Sequence, residues 1–191
     1  HTITASIGVS IFPNDGEDAE TLIRNAEIAV SRAKELGRNN YQFYSNEMSA
    51  RTFERLALEN SLRHALMRQE FFLLYQPQHD TRTGNIVGVE ALLRWQHPEL
   101  GVGTPKDFAP LLEETGLIAP VGEWVLRQAC QQARTWHANG VPGLLMSVNV
   151  SSRQFNDPDF STNIQQIIQT IGMDPTLLEL ELTESMLMRN A

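Results

Sequence analysis

Apolar and polar residues change their spacing along this chain in a regular order, and the changes mark out a succession of strands and helices. Residues 2–12 alternate at the period of two that a half-buried strand requires, and Pro13-Asn14-Asp15-Gly16 supplies the turn chemistry that ends it. Asp18 then stands where a helix N-cap belongs. Leu22, Ala26, Ala29, Ala33 and Leu36 follow at helical spacing, with Gly37 as the stop. A short apolar run at 41–44 completes a strand-helix-strand unit of about 44 residues, near the limit below which a chain needs staples or partners to bury a core. Residues 49–68 predict a long helix with Phe53, Leu56, Leu62, Ala65 and Leu66 along one side and Glu59 four residues ahead of Arg63.

Beyond this helix the pattern becomes one of strands alternating with helices. Residues 71–78 and 87–95 read as strands, and the turn Asp80-Thr81-Arg82-Thr83-Gly84-Asn85 between them is short enough to make them antiparallel. Thr104-Pro105 opens a helix by N-cap and first-turn rules; Phe108, Leu111 and Leu112 give it a buried side, and Gly116 closes it. Val121, Trp124, Val125, Ala129, Ala133 and Trp136 mark the buried face of a helix over 120–139 that stops at Gly140. Phe160, Ile164, Ile167, Ile168 and Ile171 do the same for a helix over 159–171 ending at Gly172. Two further strands, 144–150 and 177–183, lie between and after these helices.

Three of the strands carry polar groups that a core has no use for. Period-two alternation sends Val87, Val89, Ala91, Leu93 and Trp95 to one face and Gly88, Glu90, Leu92 and Arg94 to the other. In the same way Met146, Val148 and Val150 oppose Ser147 and Asn149, while Leu178, Leu180 and Leu182 oppose Glu179, Glu181 and Thr183. A carboxylate inside such a run is costly to bury unless it is paired or holds a metal. Glu90 therefore has two readings, a salt bridge to Arg94 or a ligand site. If the three strands lie parallel with helices on their apolar faces, Glu90, Asn149 and Glu181 converge at the C-terminal end of a sheet, where barrel enzymes keep their chemistry. Two carboxylates and an amide oxygen are hard donors that suit Mg2+ or Mn2+. Glycoside hydrolysis by Glu90 with Glu181 is another use of a carboxylate pair, but it leaves Asn149 and Arg94 without roles.

Composition narrows the picture. The 191 residues are 41% hydrophobic and 20% charged, enough apolar material for a core, and the net charge of −8 excludes a broad DNA- or RNA-binding surface. Cys130, the single cysteine, falls in the apolar stripe of a helix and cannot form an internal disulfide, which fits a reducing, cytoplasmic setting. No apolar run has the length of a membrane span, so any anchor of a parent protein is expected outside this chain. His64, His79, His97 and His137 show no metal spacing.

Glu90-Ala91-Leu92, set in Val-Gly-Val-Glu-Ala-Leu-Leu-Arg-Trp and followed by His97-Pro98, resembles the signature strand of the EAL-domain phosphodiesterases of bacterial cyclic di-GMP signalling. The resemblance runs on through Glu113-Glu114-Thr115-Gly116-Leu117-Ile118, Gly122-Glu123-Trp124-Val125-Leu126, Val148-Asn149-Val150-Ser151 and Glu181-Leu182-Thr183-Glu184-Ser185. Five ordered motifs are far more specific than one. Ala5-Ser6-Ile7-Gly8-Val9-Ser10, with Arg32-Ala33-Lys34-Glu35-Leu36-Gly37-Arg38-Asn39-Asn40, resembles the C-terminal end of a GGDEF domain, the family that makes cyclic di-GMP; Val30-Ser31 departs from the Met-Tyr common there.

The resemblance implies an α/β fold: a partial TIM-like β/α barrel with an antiparallel first strand, preceded by a C-terminal α/β piece of a GGDEF domain. The implied division is residues 1–44 for the GGDEF piece, 45–64 for a linker helix and 65–191 for the N-terminal half of the EAL domain. It implies hydrolysis of cyclic di-GMP to the linear dinucleotide with two Mg2+ or Mn2+ ions, or, in a degenerate domain, cyclic di-GMP reception without hydrolysis. Glu90, Asn149 and Glu181 inherit roles as metal ligands, Glu184 as a supporting catalytic acid, Arg94 and Gln76 as substrate contacts, and Lys34 and Arg38 as phosphate contacts of the GGDEF piece. From Ala65 onward the chain has about half of the roughly 250 residues a β/α barrel uses. The expectation is that this chain alone is inactive and self-associates or pairs with the remainder of its parent.

Overall fold

The computed structural model describes residues 3–141 and 143–182, and the chain divides into two compact units, residues 1–60 and 61–191. In the first, β1 (Ile7–Val9) and β2 (Tyr41–Phe43) pair in parallel, with α1 (Ala19–Glu35) as the crossover between them. Asp18 caps α1 as its position predicts, its carboxylate accepting from Thr21 N and Thr21 Oγ1, both at 2.8 Å. A Cβ on Gly8 would overlap the Ala26 carbonyl and the Val30 backbone, so only glycine lets α1 pack directly on β1.

β1 is much shorter than the strand predicted over 2–12. Its ladder partner offers only three residues, and beyond Val9 the chain turns away. Ile11 N donates to the Asp15 carboxylate at 2.7 Å, using a backbone N–H that a longer ladder would need, and Ser10 Oγ donates to Leu22 O at 2.9 Å. The long helix also differs from its prediction. It forms as α2 (Asn46–Ala65), and only the end of its apolar side is covered: Leu62 and Ala65 are buried, whereas Phe53 and Leu56 are exposed.

The second unit is built on one sheet. β3 (Phe71–His79) and β4 (Ile86–His97) form the predicted antiparallel hairpin; β6 (Leu145–Val150) joins β4 in parallel and β7 (Leu178–Leu182) joins β6 in parallel. The strand order is β3-β4-β6-β7. α3 (Pro105–Thr115), α4 (Ile118–Ala138) and α6 (Phe160–Ile171) supply the connecting helices, with a four-residue helix, α5 (Ser152–Phe155), between β6 and α6. Sequence patterning missed α5, which is too short to show a period, and β5 (Gly101–Gly103), which folds back on the end of β4 between two glycines. His97 holds that corner by accepting the Glu99 and Leu100 N–H groups on Nδ1, each at 3.1 Å.

The core lies between the apolar sheet face and the helices. Phe71, Trp95, Phe108 and Trp124 pack their rings at centroid distances of 5.7–6.2 Å, and Met146, Val148 and Val150 continue the buried layer beside Val121, Val125 and Ala129 of α4. Trp136 instead meets Tyr75 edge-on at 4.9 Å, and burial there pushes the tyrosine pKa up. Cys130 is fully buried and its thiol is pushed up to about 11, so it serves as packing. No helix among the described residues is long and apolar enough to cross a membrane.

Candidate functional site

The other face of the sheet carries the polar residues, and strand register decides which of them meet. Gln76 of β3 stands opposite Glu90 of β4, Glu90 opposite Ser147 of β6, and Asn149 opposite Glu181 of β7. Asn149 is thus two residues further toward the C-terminal edge than Glu90's direct partner, and its side chain leans back across that step. Asn149 Nδ2 donates to Glu90 Oε1 at 2.6 Å, a charge-assisted bond that engages the amide nitrogen and leaves the amide oxygen, a hard donor, out of that contact. Glu90 and Glu181 are half-buried and Asn149 is exposed, so a ligand can reach all three.

Glu90 and Arg94 form no ion pair, which removes the salt-bridge reading. Four residues along a strand separate them by about 13 Å. The Arg94 guanidinium folds back instead, Nη1 donating to Leu93 O at 2.7 Å, and its remaining donors are available. Gln76 is exposed beside Glu90. Glu184 lies outside the described residues. In the first unit, Lys34 sits in the last turn of α1 and Arg38 in the left-handed turn after it, with φ of 62°, and both are exposed.

A cavity of about 500 Å3 lies between the sheet and helices α3 and α4, with a mainly apolar lining that includes Ala91, Leu93, Leu112, Val121 and Val125 and reaches Asn149 near the end of β6. Its size suits a ligand on the scale of a nucleotide. Among the described residues no three His, Cys, Asp or Glu side chains cluster as a metal site. The donors at hand are two carboxylates and one amide oxygen, which fit a hard cation that keeps several of its waters.

Period-two reasoning overlooked one residue of this face. Gln78 projects beside Gly88 and reaches Ser147 Oγ and Glu181 Oε1, both at 3.4 Å; Ser147 Oγ in turn donates to Glu179 Oε2 at 3.0 Å. Gln78 shares its parity with Gln76, and a glycine opposite it on β4 was the available signal that a side chain crosses there.

Residues 59–191 match the EAL domain family, and residues 1–40 match the diguanylate cyclase GGDEF domain. The chain belongs to the EAL-domain family. Its EAL domain is preceded by a GGDEF fragment, and the family's TIM-barrel-like fold accounts for the parallel strands β4, β6 and β7 with helices between them. The chain is 43% identical over 189 residues to the bifunctional diguanylate cyclase/cyclic di-GMP phosphodiesterase MucR of Pseudomonas aeruginosa, covering 99% of this chain and 28% of that protein. It is 38% identical to the cyclic di-GMP phosphodiesterase PdeR of Escherichia coli, covering 98% of this chain and 28% of that one. Among solved structures it resembles the PaMucR phosphodiesterase in complex with c-di-GMP, at 42% identity and a TM-score of 0.68 over 70% of this chain and 54% of that chain. A second resemblance, at 29% identity and the same TM-score, is to the EAL enzyme Bd1971 in its cAMP- and cyclic-di-GMP-bound form, over 92% of this chain and 46% of that one. The chain spans about a quarter of the length of the curated relatives it matches.

Proposed function

We propose that the EAL domain hydrolyses one phosphodiester bond of cyclic di-GMP to give the linear dinucleotide pGpG, using two Mg2+ or Mn2+ ions. The observation that carries the reading is the 2.6 Å bond from Asn149 to Glu90, with Glu181 on the adjacent strand: it groups hard oxygen donors at the sheet edge where β/α barrels react. Similarity to relatives named as cyclic di-GMP phosphodiesterases supports the substrate. When bound, a pair of divalent ions supplies an attacking water of lowered pKa and positive charge around an in-line displacement.

This chain's residues then do the holding and orienting. Glu90, Asn149 and Glu181 would hold the ions, with Glu184 as a supporting acid. The hydrogen bond from Asn149 occupies one Glu90 oxygen, and the other would be the one to help hold a cation. Arg94 swings from Leu93 O to a non-bridging phosphate oxygen, a contact its fork of donors suits, and Gln76 holds the substrate from β3. In the GGDEF piece, Lys34 and Arg38 contact phosphate. The protein works in the cytoplasm, and copies of it associate with one another.

The test is turnover of cyclic di-GMP by the full-length protein with Mn2+ or Mg2+, beside calorimetric titration of each metal. Turnover lost in Glu90→Gln together with metal affinity supports the reading. A protein that binds cyclic di-GMP tightly but turns none over with either metal replaces it with reception alone.

A further inference from the structure

The two candidate carboxylate ligands are held alike, and the second arrangement contains a residue with no assigned role. Glu90 receives an N–H from the amide of Asn149, whereas Glu181 receives one from the amide of Gln78, which comes from the far side of β4. That reach depends on Gly88. A Cβ there would lie 2.8 Å from Gln78 Oε1 and 3.1 Å from Leu145 Cβ, so any larger residue would push the amide off the strand or strain the backbone. The hairpin ladder also shifts register at this point: Gln78 pairs with Gly88 and His79 with Ile86, leaving Val87 without an opposite residue. A bulge of this kind re-aims neighbouring side chains.

Once across β4, Gln78 Nε2 has two hydrogens and two acceptors, Ser147 Oγ on β6 and Glu181 Oε1 on β7, each at 3.4 Å. Ser147 is fully buried and passes its own proton to Glu179 Oε2. The chain of donors therefore has a fixed direction, from Gln78 through Ser147 to Glu179, with the second Gln78 hydrogen left for Glu181. Nothing in this arrangement contributes to the apolar core on the opposite sheet face.

We propose that Gln78 is a positioning residue for Glu181, admitted by Gly88: it binds one carboxylate oxygen of Glu181 and so orients the carboxylate whose other oxygen would hold a cation. The proposal rests on the reading of Glu181 as a metal ligand. Hydrogen bonds behind a metal ligand typically govern affinity by roughly 10- to 100-fold.

The experiment uses the full-length protein and four forms: wild type, Gln78→Leu, Gly88→Ala and Glu181→Gln. Mn2+ dissociation constants are measured by calorimetry without substrate, melting temperatures without metal, and KM for cyclic di-GMP at saturating Mn2+. Gln78→Leu keeps the side chain's bulk and removes its donor; its Mn2+ dissociation constant is expected to rise roughly 10-fold, with KM and metal-free melting unchanged. Gly88→Ala, which displaces the amide without deleting it, should shift the constant in the same direction. An unchanged Mn2+ constant in Gln78→Leu overturns the proposal, and so does a fall in metal-free melting that accounts for the loss of binding. If Glu181→Gln leaves Mn2+ affinity unchanged, the ligand reading itself fails; if it loses affinity while Gln78→Leu does not, only the positioning role fails.

Discussion

The two faces of the sheet in the second unit come from the same strands and do opposite things. Toward the helices, Trp95, Ala91, Val89, Met146, Val148 and Val150 are buried, and each adds area removed from water. Toward the other side, Glu90, Arg94, Asn149 and Glu181 keep partial or full exposure, and a directed hydrogen bond joins Asn149 to Glu90. The faces differ by one residue of register, so a side chain's role follows from its parity along the strand. The lesson is that stability and chemistry can be separated by substitution, face by face.

The largest expected effect is on the polar face. In the full-length protein, Glu90→Gln and Asn149→Ala should each cut cyclic di-GMP turnover by roughly 100-fold or more, with weakened Mn2+ binding and a melting temperature close to wild type. A large drop in melting temperature in both would break the separation of the faces. On the apolar face, Trp95→Ala empties a site that is 2% exposed and should cost about 3–5 kcal/mol in denaturant unfolding, while any surviving folded protein keeps its Mn2+ affinity. Arg94→Ala is expected to raise KM about tenfold and leave the Mn2+ constant unchanged, because in the proposed reaction its donors serve the substrate phosphate and not the ion. Equal loss of metal in that variant would place Arg94 with the ligands.

The smallest effect concerns acid. Asp18 and Asp107 cap α1 and α3, and hydrogen bonds from Thr21 and Thr104 hold their carboxyl groups below the ordinary value of 3.8. A depressed folded value means that the caps contribute stability above about pH 4 and lose it as pH falls through the folded pKa. Asp18→Asn with Asp107→Asn should therefore flatten the dependence of unfolding free energy on pH below about 4, measured at several pH values against wild type. An unchanged acid limb would show that these caps are not what titrates.

How far these features can be seen in the chain varies from residue to residue. The α3 start was legible because Thr104, Pro105 and Asp107 are local signals; Asp107 accepts from Thr104 N and Oγ1 within three residues. The shortening of β1 was not, because ladder length depends on a partner more than thirty residues away. Phe53 and Leu56 have the spacing of a buried helix face, yet burial needs something to cover them, and periodicity carries no information about that.

By itself the sequence determined parity: which residues share a strand face, where helices begin and stop, that the hairpin turn is short, and which family the motifs belong to. Tertiary structure alone decided adjacency. That Asn149 leans back to Glu90 follows from a parallel register pairing Glu90 with Ser147, and that Gln78 reaches Glu181 follows from a bulge and a glycine on the strand between them. Local patterns are set within a few residues by backbone geometry and solvent, whereas register is chosen by the packing of the whole sheet against its helices.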